Sequence, residues 1–370
     1  MKYAFVGGGT MGPVTPLIAV YQTLKSREAQ AEFCWFGTPN GPEKPVILAH
    51  SIPFYAISVA KFPRYPSKQW LTWPFDLYRA YSEAKKYLKN ERPSIVIGAG
   101  GFTAFPVSLA ARSLKIPVFL HQLDVHPSLT NKLIAPFASR ITTSFSYKKS
   151  PFFTKASIHT IATPVRDMGE EMSKEVAATY FALDATRPTV LIIGGGTGAQ
   201  AINDAFLQKK DTWFKDMQVI HVAGKGKKAD DSSYEFLDAE RMLAAYTLAD
   251  VVVTRAGMGS LSEIVSLQKP SVIVPIPSSQ QEANAQVFAD ADAAIVLHQQ
   301  DEGFASLLHA CVLALIQQPK DAKMLTDQYS KVMKADHGEA FVQQLETFYN
   351  NLCIHYQRSK MFLIRDLRNI

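Results

Sequence analysis

Two stretches of this chain, residues 3–14 (YAFVGGGTMGPV) and residues 190–202 (VLIIGGGTGAQAI), share an apolar run, a glycine cluster and the start of a helix. Glycine lets the backbone turn sharply after a strand and approach a ligand closely. The helix that follows presents unpaired N–H groups and the positive end of its dipole to an anion. Two such crossings predict two nucleotide-type α/β domains that face one another across a cleft, and a phosphate-bearing ligand.

The first cluster also fits the dinucleotide pattern G-x-G-x-x-G through Gly7, Gly9 and Gly12. That fold requires an acidic residue about 20 residues further on, at the end of the second strand, to hold the ribose hydroxyls. Here the predicted second strand ends in Gly37-Thr38-Pro39. The pattern therefore argues against an NAD-dependent enzyme. A tight turn that binds nothing remains the alternative for each glycine cluster.

Length and composition indicate a cytoplasmic enzyme of two domains. The chain has 370 residues, of which 47% are hydrophobic, and this is enough for two cores. Its three cysteines are widely spaced and odd in number, so they predict no disulfide framework and no metal site. The N-terminus lacks the pattern of a signal peptide, and no apolar run reaches the 18 or more residues of a spanning helix. We expect a soluble or peripheral protein.

Strands and helices alternate in both halves, which predicts parallel, doubly wound sheets. In the first half we predict strands at 3–8, 32–37, 54–58, 94–98, 117–121 and 140–144, with helices at 15–26, 77–90, 104–114 and 129–138. In the second half we predict strands at 189–194, 217–223, 250–254 and 271–275, a weaker strand at 234–237, and helices at 240–248, 260–267 and 282–289.

The predicted domains are residues 1–163 and 164–345, followed by a helical tail at 346–370 that packs back on the first domain. The boundary lies at Thr163-Pro164, before a predicted acidic helix at 167–178. Residues 328–370 read as helices, the last of them at 361–370.

The net charge of +6 suggests an anionic partner, and basic residues concentrate between residues 61 and 89. They are Lys61, Arg64, Lys68, Arg79, Lys85, Lys86 and Lys89. Large apolar residues alternate with them, namely Phe62, Tyr65, Trp70, Leu71, Trp73, Phe75 and Tyr78. This combination is typical of a nucleic-acid platform or of a membrane surface. Packing of the aromatic rings beneath a long loop is the third interpretation.

Residues 255–277 (RAGMGSLSEIVSLQKPSVIVPIP) place small residues after a predicted strand and Glu263 in the first turn of the next helix. A glutamate at that position is often a capping residue. It also lies at the carboxyl edge of the sheet, where its carboxylate can accept hydrogen bonds from both hydroxyls of a ribose. The residues alone leave both interpretations open.

This segment resembles the nucleotide-sugar signature of the GT-B glycosyltransferases, and residues 1–345 resemble the MurG family of peptidoglycan lipid II synthesis. The shared motifs, in order, are Gly8-Gly9-Thr10, Gly100-Gly101-Phe102, residues 116–121 (IPVFLH), residues 129–132 (LTNK), Thr163-Pro164-Val165-Arg166, residues 194–199, residues 249–253 (ADVVV), Ser262-Glu263, Gln280-Gln281 and Asn284-Ala285. The resemblance implies a GT-B fold, with two Rossmann-like domains and C-terminal helices.

The resemblance also implies roles for individual residues. Glu263 would hold the ribose hydroxyls, and the donor sugar would face Gln280 and Gln281. The remaining donor residues would be Thr10, then Arg166, Gly195, Gly196, Thr197, Gly198 and Ser260 around the diphosphate, and Phe236 and Leu237 beside uracil. The acceptor would lie against Gly9, Gly12, Gly100, Gly101 and Phe102. The alternative for Arg166, Gln280 and Gln281 is that they are ordinary polar surface residues.

Three departures from the family pattern fall mainly on the acceptor side. The family's GGTGGH appears here with Pro13 in place of the histidine, and its HEQN appears as His121-Gln122-Leu123-Asp124. In the second glycine loop, Gly196-Thr197 replaces a Ser-Gln pair. With the histidine missing, Asp124 and His126 are the candidate catalytic bases.

The resemblance implies an inverting, metal-independent transfer of N-acetylglucosamine from its UDP donor to a polyprenyl-diphosphate-linked muramoyl-pentapeptide, without a cofactor. Its partners would be that lipid-linked acceptor and the anionic inner face of the plasma membrane rather than a nucleic acid. The pair Asp290 and Asp292 reads as a helix end and not as a metal site. A GT-B enzyme with another acceptor, or an inactive UDP-sugar-binding relative, remains the alternative.

Overall fold

The structure, a computed structural model, describes residues 1–59, 69–195, 199–227, 230 and 232–351, with the backbone alone at residues 69 and 70. Seven parallel strands form the first sheet, in the order β3-β2-β1-β4-β5-β6-β7. They are β1 (Lys2–Val6), β2 (Glu32–Gly37), β3 (Phe54–Ala56), β4 (Ile95–Gly98), β5 (Val118–Gln122), β6 (Arg140–Thr143) and β7 (Ser157–Thr160).

Helices cover both faces of this sheet. They are α1 (Thr15–Arg27), α2 (Glu43–Ala49), α3 (Gln69–Glu91), α4 (Ala104–Ser113) and α5 (Leu129–Ile134), which continues as a 3-10 turn at Ala135–Phe137. In β1, Tyr3 and Phe5 pack in the cluster that includes α1, while Ala4 and Val6 pack in the cluster that includes α3 and α4. Successive side chains of a strand point to opposite faces, so each apolar strand residue finds a core.

After β7 the chain forms a two-residue strand, β8 (Thr163–Pro164), outside the first sheet, and then builds the second sheet. Six parallel strands have the order β11-β10-β9-β12-β13-β14. They are β9 (Thr189–Ile193), β10 (Gln218–Val222), β11 (Ser233–Tyr234), β12 (Val251–Thr254), β13 (Ser271–Ile273) and β14 (Ile295–Val296). Both sheets are therefore doubly wound and parallel, as predicted.

The helices of the second half are α6 (Lys174–Thr179), α7 (Gln200–Gln208), α8 (Lys210–Asp216), α9 (Ala239–Leu248), α10 (Met258–Ser266), α11 (Gln280–Asp290), α12 (Phe304–Gln317), α13 (Pro319–Asp327) and α14 (Tyr329–Val332). Across the described residues, no helix combines the length and the apolar composition that crossing a bilayer requires.

The chain finally returns to the first sheet. Strand β15 (Ala335–Asp336) pairs with β8, and a helix over residues 339–351 follows. The ring of Phe341 lies 5.2 Å from that of Phe119 on β5, and Arg140 Nη1 donates to the carbonyl of Gln344 at 3.1 Å. This last helix thus covers one face of the first sheet.

The strand order explains the positions of the glycine loops. In each sheet the order reverses between two adjacent strands, β1 and β4 in the first and β9 and β12 in the second. The loops that leave such a pair diverge to opposite faces and open a crevice at the carboxyl ends of the strands. The loops after β1, β4, β9 and β12 therefore occupy the positions where α/β proteins bind ligands.

Several predicted elements were wrong in extent. Helix α3 begins at Gln69, well before the predicted residue 77, and continues through Pro74. Ala80, Ala84 and Leu88 bury its inner face. The helix predicted at 167–178 spans only Lys174–Thr179. Gly169 has a φ of 116°, which is not helical, and Ser173 caps the helix start by accepting a hydrogen bond from Val176 N through its Oγ. Strands β7 and β15 were missed, and residues 361–370 lie outside the described residues.

Candidate active site

The two glycine loops of the first domain touch one another. Gly9 and Gly101 each have a φ of 83°. A Cβ atom on Gly9 would lie 2.2 Å from Cε1 of Phe102, and one on Gly101 would lie 2.9 Å from the carbonyl oxygen of Gly8. Both positions therefore need glycine. The predicted acceptor residues Gly9, Gly101 and Phe102 are brought together at the carboxyl edge of the sheet.

The other predicted residues of these loops lie around this contact. Thr10 and Gly12 are exposed, as a ligand-contacting loop requires. Gly100 has a φ of 103°, and a Cβ atom there would lie 3.2 Å from Oδ1 of the buried Asn131. The loop after β4 is thus packed from below by α5, while the tip of the loop after β1 faces solvent.

A fully buried carboxylate, Glu43, organises the first glycine loop, and the sequence analysis missed it. Its Oε2 accepts a hydrogen bond from Gly9 N at 3.1 Å, and its Oε1 accepts from Thr38 N at 2.6 Å and from Thr38 Oγ1 at 2.5 Å. An acidic residue does therefore follow β2, but it bonds to protein backbone. The signal available was a glutamate a few residues after the Gly37-Thr38 strand end.

Asp124 and His126 follow β5, and their surroundings differ. Asp124 Oδ1 accepts from Asn284 Nδ2 at 2.8 Å, and Asn284 Oδ1 accepts from Val125 N at 3.0 Å. Asn284 is fully buried on α11 of the second domain, and its Nδ2 also donates to the carbonyl of Ala256 at 3.2 Å. Burial raises the pKa of Asp124 above its ordinary value. Asp124 thus lies between the two domains, whereas His126 is exposed.

Glu263 lies on α10 and is held by two side chains. Arg166 Nε donates to Oε1 at 3.0 Å, and Tyr246 OH donates to Oε2 at 2.9 Å. The Glu263 side chain is 7% exposed, against 31% for that of Arg166. The adjacent carboxylate raises the pKa of Arg166, and burial beside it raises that of Tyr246. Arg166, which we predicted beside a diphosphate, contacts the predicted ribose-binding carboxylate directly.

The remaining donor-side residues surround the loops after β9 and β12. Gln281 Oε1 accepts from Ile276 N at 3.2 Å, and its Nε2 would lie 3.7 Å from a Cβ atom on Gly257. Gln280 is exposed and Ser260 is partly buried in the first turn of α10. Gly195 has a φ of 75°. Three predicted residues, Gly196, Thr197 and Gly198, lie outside the described residues.

The predicted uracil segment follows β11. Phe236 is 70% exposed, whereas Leu237 is 2% exposed and belongs to the core. The pair therefore presents one side chain to solvent and anchors the segment with the other.

Asp290 and Asp292, the pair considered for a metal, belong to no larger cluster of metal-ligating side chains in the part of the chain that the structure describes. There, no three His, Cys, Asp or Glu side chains gather where they could hold an ion. Asp290 Oδ1 accepts from Gln286 Nε2 at 2.6 Å on the surface of α11, and Asp292 follows the end of that helix with a φ of 50°.

Comparisons with known families agree with this two-domain architecture. The Glycosyltransferase family 28 N-terminal domain matches residues 3–143, and the Glycosyltransferase family 28 C-terminal domain matches residues 189–340. The first match contains most of the first sheet and the second match contains the second sheet, each with its glycine loops.

Individual relatives match over most of their length. A UDP-N-acetylglucosamine--N-acetylmuramyl-(pentapeptide) pyrophosphoryl-undecaprenol N-acetylglucosamine transferase of Lachnoclostridium phytofermentans is 34% identical over 321 residues, covering 84% of this chain and 89% of the relative. A protein of the same name from Legionella pneumophila is 32% identical, covering 90% and 91%. The crystal structure of Acinetobacter baumannii MurG has a TM-score of 0.69 at 23% identity, covers 94% of this chain and 99% of that chain, and supports the fold.

Proposed function

This chain belongs to glycosyltransferase family 28, and on that premise we propose that it transfers N-acetylglucosamine from UDP-N-acetylglucosamine to a muramoyl-pentapeptide carried on undecaprenyl diphosphate. The names of its relatives describe this reaction. The observation that carries the proposal is the Glu263 carboxylate, which is buried at the carboxyl edge of the second sheet and held by Arg166 and Tyr246.

The hydrogen bonds of Glu263 leave acceptor positions that a ribose could use. A carboxylate offers about four lone-pair positions on its two oxygens. Arg166 uses one position on Oε1, and Tyr246 uses one on Oε2. Each oxygen therefore retains one acceptor position, and these match the two ribose hydroxyls of a uridine nucleotide.

The diphosphate would bind where the loop after β9 meets the start of α10. Gly195, Ser260 and the first turn of α10 lie at this edge of the sheet. N–H groups at a helix start attract phosphate, so charge that develops on the departing UDP is stabilised without a metal. Arg166 would add a positive charge to the same side of the cleft, and the amides of Gln280 and Gln281 would contact the sugar.

Asp124 would supply the base. It would remove the proton from the acceptor hydroxyl as the hydroxyl oxygen forms its bond to the anomeric carbon. The bond from that carbon to the diphosphate breaks in the same step, UDP departs with the electron pair, and the anomeric centre inverts. The raised pKa of Asp124 suits this role, because a stronger base accepts the proton more readily near neutral pH.

The lipid-linked acceptor requires contact with a membrane, and α3 offers a surface for it. Leu71, Phe75 and Tyr78 recur at helical spacing and are 77%, 73% and 68% exposed. Arg79, Lys86 and Lys89 are exposed on the same helix. We define these six residues as the α3 surface. Apolar side chains flanked by cations favour the interface of an anionic bilayer, so the protein would act at the inner face of the plasma membrane.

Release of UDP tests the function. UDP-N-acetylglucosamine, UDP-N-acetylgalactosamine and UDP-glucose are each supplied with and without undecaprenyl-diphospho-N-acetylmuramoyl-pentapeptide. We expect fast release only from the first donor with the acceptor present. The assay is repeated with other lipid-linked and small acceptors. Fast UDP release with one of these acceptors instead would identify another GT-B specificity, which the altered loop at Asp124 favours as the second candidate. If the protein binds UDP but releases none from a UDP-sugar with any acceptor, it is an inactive relative.

A further inference from the structure

We propose that Tyr246 is a positioning residue of the donor site, which fixes the Glu263 carboxylate so that both of its oxygens face the ribose hydroxyls. The inference rests on the proposed function, because it assigns the ribose to Glu263. Neither the glycine loops nor the acidic signature on α10 points to this tyrosine.

The position of Tyr246 is rigid. It lies on α9, where Met242, Leu243 and Ala245 are buried around it, and its own side chain has no exposed surface. Its hydroxyl donates to Glu263 Oε2 at 2.9 Å across two helices. A side chain locked by packing on a helix holds its polar tip in one place, which is how supporting residues orient a binding group.

The hydrogen bond from Tyr246 restrains the terminal torsion of Glu263, which sets the orientation of its carboxylate. The terminal torsion of a glutamate is broad, so a carboxylate held at one oxygen still turns. Arg166 holds Oε1 and Tyr246 holds Oε2, and together they fix the plane of the carboxylate. Without the hydroxyl, Oε2 is left with an unsatisfied buried position and the group turns toward any other donor.

Tyr246→Phe removes the hydroxyl and retains the ring. The chain also offers a matched control in Tyr329, which is likewise fully buried in the second domain. Its hydroxyl contacts the carbonyl of Lys269 at 2.6 Å and Ser271 Oγ at 3.0 Å, at the start of β13 and thus at the opposite edge of the sheet. Tyr329→Phe therefore loses a buried hydroxyl of the same kind away from Glu263.

Calorimetric titration with two probes, UDP and 2′,3′-dideoxy-UDP, separates positioning from packing. We expect Tyr246→Phe to bind UDP about tenfold more weakly than the wild type, the lower end of the effect of one hydrogen bond to a charged group. Its affinity for 2′,3′-dideoxy-UDP, which lacks both hydroxyls, should match that of the wild type. Tyr329→Phe should bind both probes as the wild type does. In turnover, Tyr246→Phe should raise the KM for the UDP-sugar and leave kcat nearly unchanged.

Two results would overturn the inference while leaving the donor site in place. The first is an unchanged affinity of Tyr246→Phe for UDP. The second is an equal loss of affinity in Tyr246→Phe for UDP and for 2′,3′-dideoxy-UDP. In both cases Glu263→Ala would still bind UDP more weakly than the wild type. If Glu263→Ala binds UDP as the wild type does, the ribose assignment fails and the inference fails with it. Thermal unfolding checks that each variant folds. The ratio of the affinities for UDP and 2′,3′-dideoxy-UDP, measured on the same variant, isolates the contribution of the ribose hydroxyls.

Discussion

Asp124 is the residue whose chemistry depends most on its surroundings. Its carboxylate is partly desolvated between the two domains and accepts a hydrogen bond from Asn284 Nδ2. Desolvation disfavours the charged form, which is why its pKa rises. An asparagine at this position would keep the hydrogen bond from Asn284 through its own carbonyl oxygen. Asp124→Asn therefore removes the base without disturbing the contact between the domains.

We expect Asp124→Asn to lower kcat by about 100-fold or more, the usual contribution of a general base, with UDP affinity unchanged. In the wild type, activity should fall as the pH drops through the raised pKa of Asp124, because protonation removes the base. The same shift means that the contribution of Asp124 to folding is present below its unfolded pKa and is lost as pH rises through the folded pKa. A profile of kcat against pH for the wild type and Asp124→Asn measures the effect on activity.

His126→Ala is the control, since His126 is exposed and close in sequence. It should retain wild-type kcat. A large loss in His126→Ala with little change in Asp124→Asn would assign the base to His126 and contradict our account.

The sequence motifs predicted both Arg166 and Glu263 as donor-site residues, but they gave no sign that these two meet or that Tyr246 also contacts Glu263. The position of Glu263 follows from a local signature after a strand, whereas Arg166 is 97 residues away along the chain. Tyr246 reads in the sequence as one more apolar residue of a buried helix, and Glu43 reads as an ordinary first-turn glutamate. Their roles arise from tertiary contacts, which local spacing does not encode.

At the scale of elements, helix α3 has one face buried in the core and another face exposed to solvent. Its inner face buries Ala80, Ala84 and Leu88 against the cluster that includes α4, while Leu71, Phe75 and Tyr78 are exposed on the outside. Exposed apolar side chains grouped on one helix mark an interaction surface. The predicted aromatic and basic segment thus divides into α3, which is described, and residues 61–68, which lie outside the described residues.

We expect the double variant Leu71→Ser and Phe75→Ser to bind anionic phosphatidylglycerol vesicles about 100-fold more weakly, because each side chain contributes about 1.5 kcal/mol or more when buried. Transfer to the lipid-linked acceptor should slow accordingly, while UDP affinity and Tm stay nearly unchanged. Vesicle sedimentation measures the binding. Met324→Ser with Leu307→Ser, on exposed positions of α13 and α12, is the matched control and should bind vesicles normally. A loss of stability in the α3 variant would identify Leu71 and Phe75 as packing residues.

The core strands were predictable because each is an apolar run followed by glycine or another turn signal, as in β1, β4 and β9. The edges were less predictable. Strand β7 is partly exposed and lacks an apolar pattern, and β15 has two residues whose pairing with β8 depends on the fold of the whole chain. The true start of α3 was hidden by Pro74, which normally favours a helix boundary.

On the scale of the whole molecule, several contacts join the two domains. Strand β15 pairs with β8, and Asn284 bridges the loop after β5 to the loop after β12. The cleft between the sheets therefore has the proposed base, Asp124, on one side and the proposed ribose-binding carboxylate, Glu263, on the other. In our proposal, helix starts and Arg166 would supply the positive charge for the diphosphate in this cleft.

Because protein groups would supply that charge, activity should persist in excess EDTA, with kcat within about twofold of the untreated enzyme. An assay of UDP release before and after chelation measures it. Complete loss that Mg²⁺ or Mn²⁺ restores would contradict this and direct attention back to Asp290 and Asp292.

The central claim is that the two domains together transfer N-acetylglucosamine onto a lipid-linked muramoyl-pentapeptide. The most direct measurement is mass spectrometry of the lipid after incubation of the full chain with UDP-N-acetylglucosamine and undecaprenyl-diphospho-N-acetylmuramoyl-pentapeptide in anionic vesicles. Our account predicts a product that has gained one N-acetylhexosamine, and a much smaller yield from Glu263→Ala at the same donor concentration. An unmodified lipid, recovered from a folded protein that binds UDP, would contradict it.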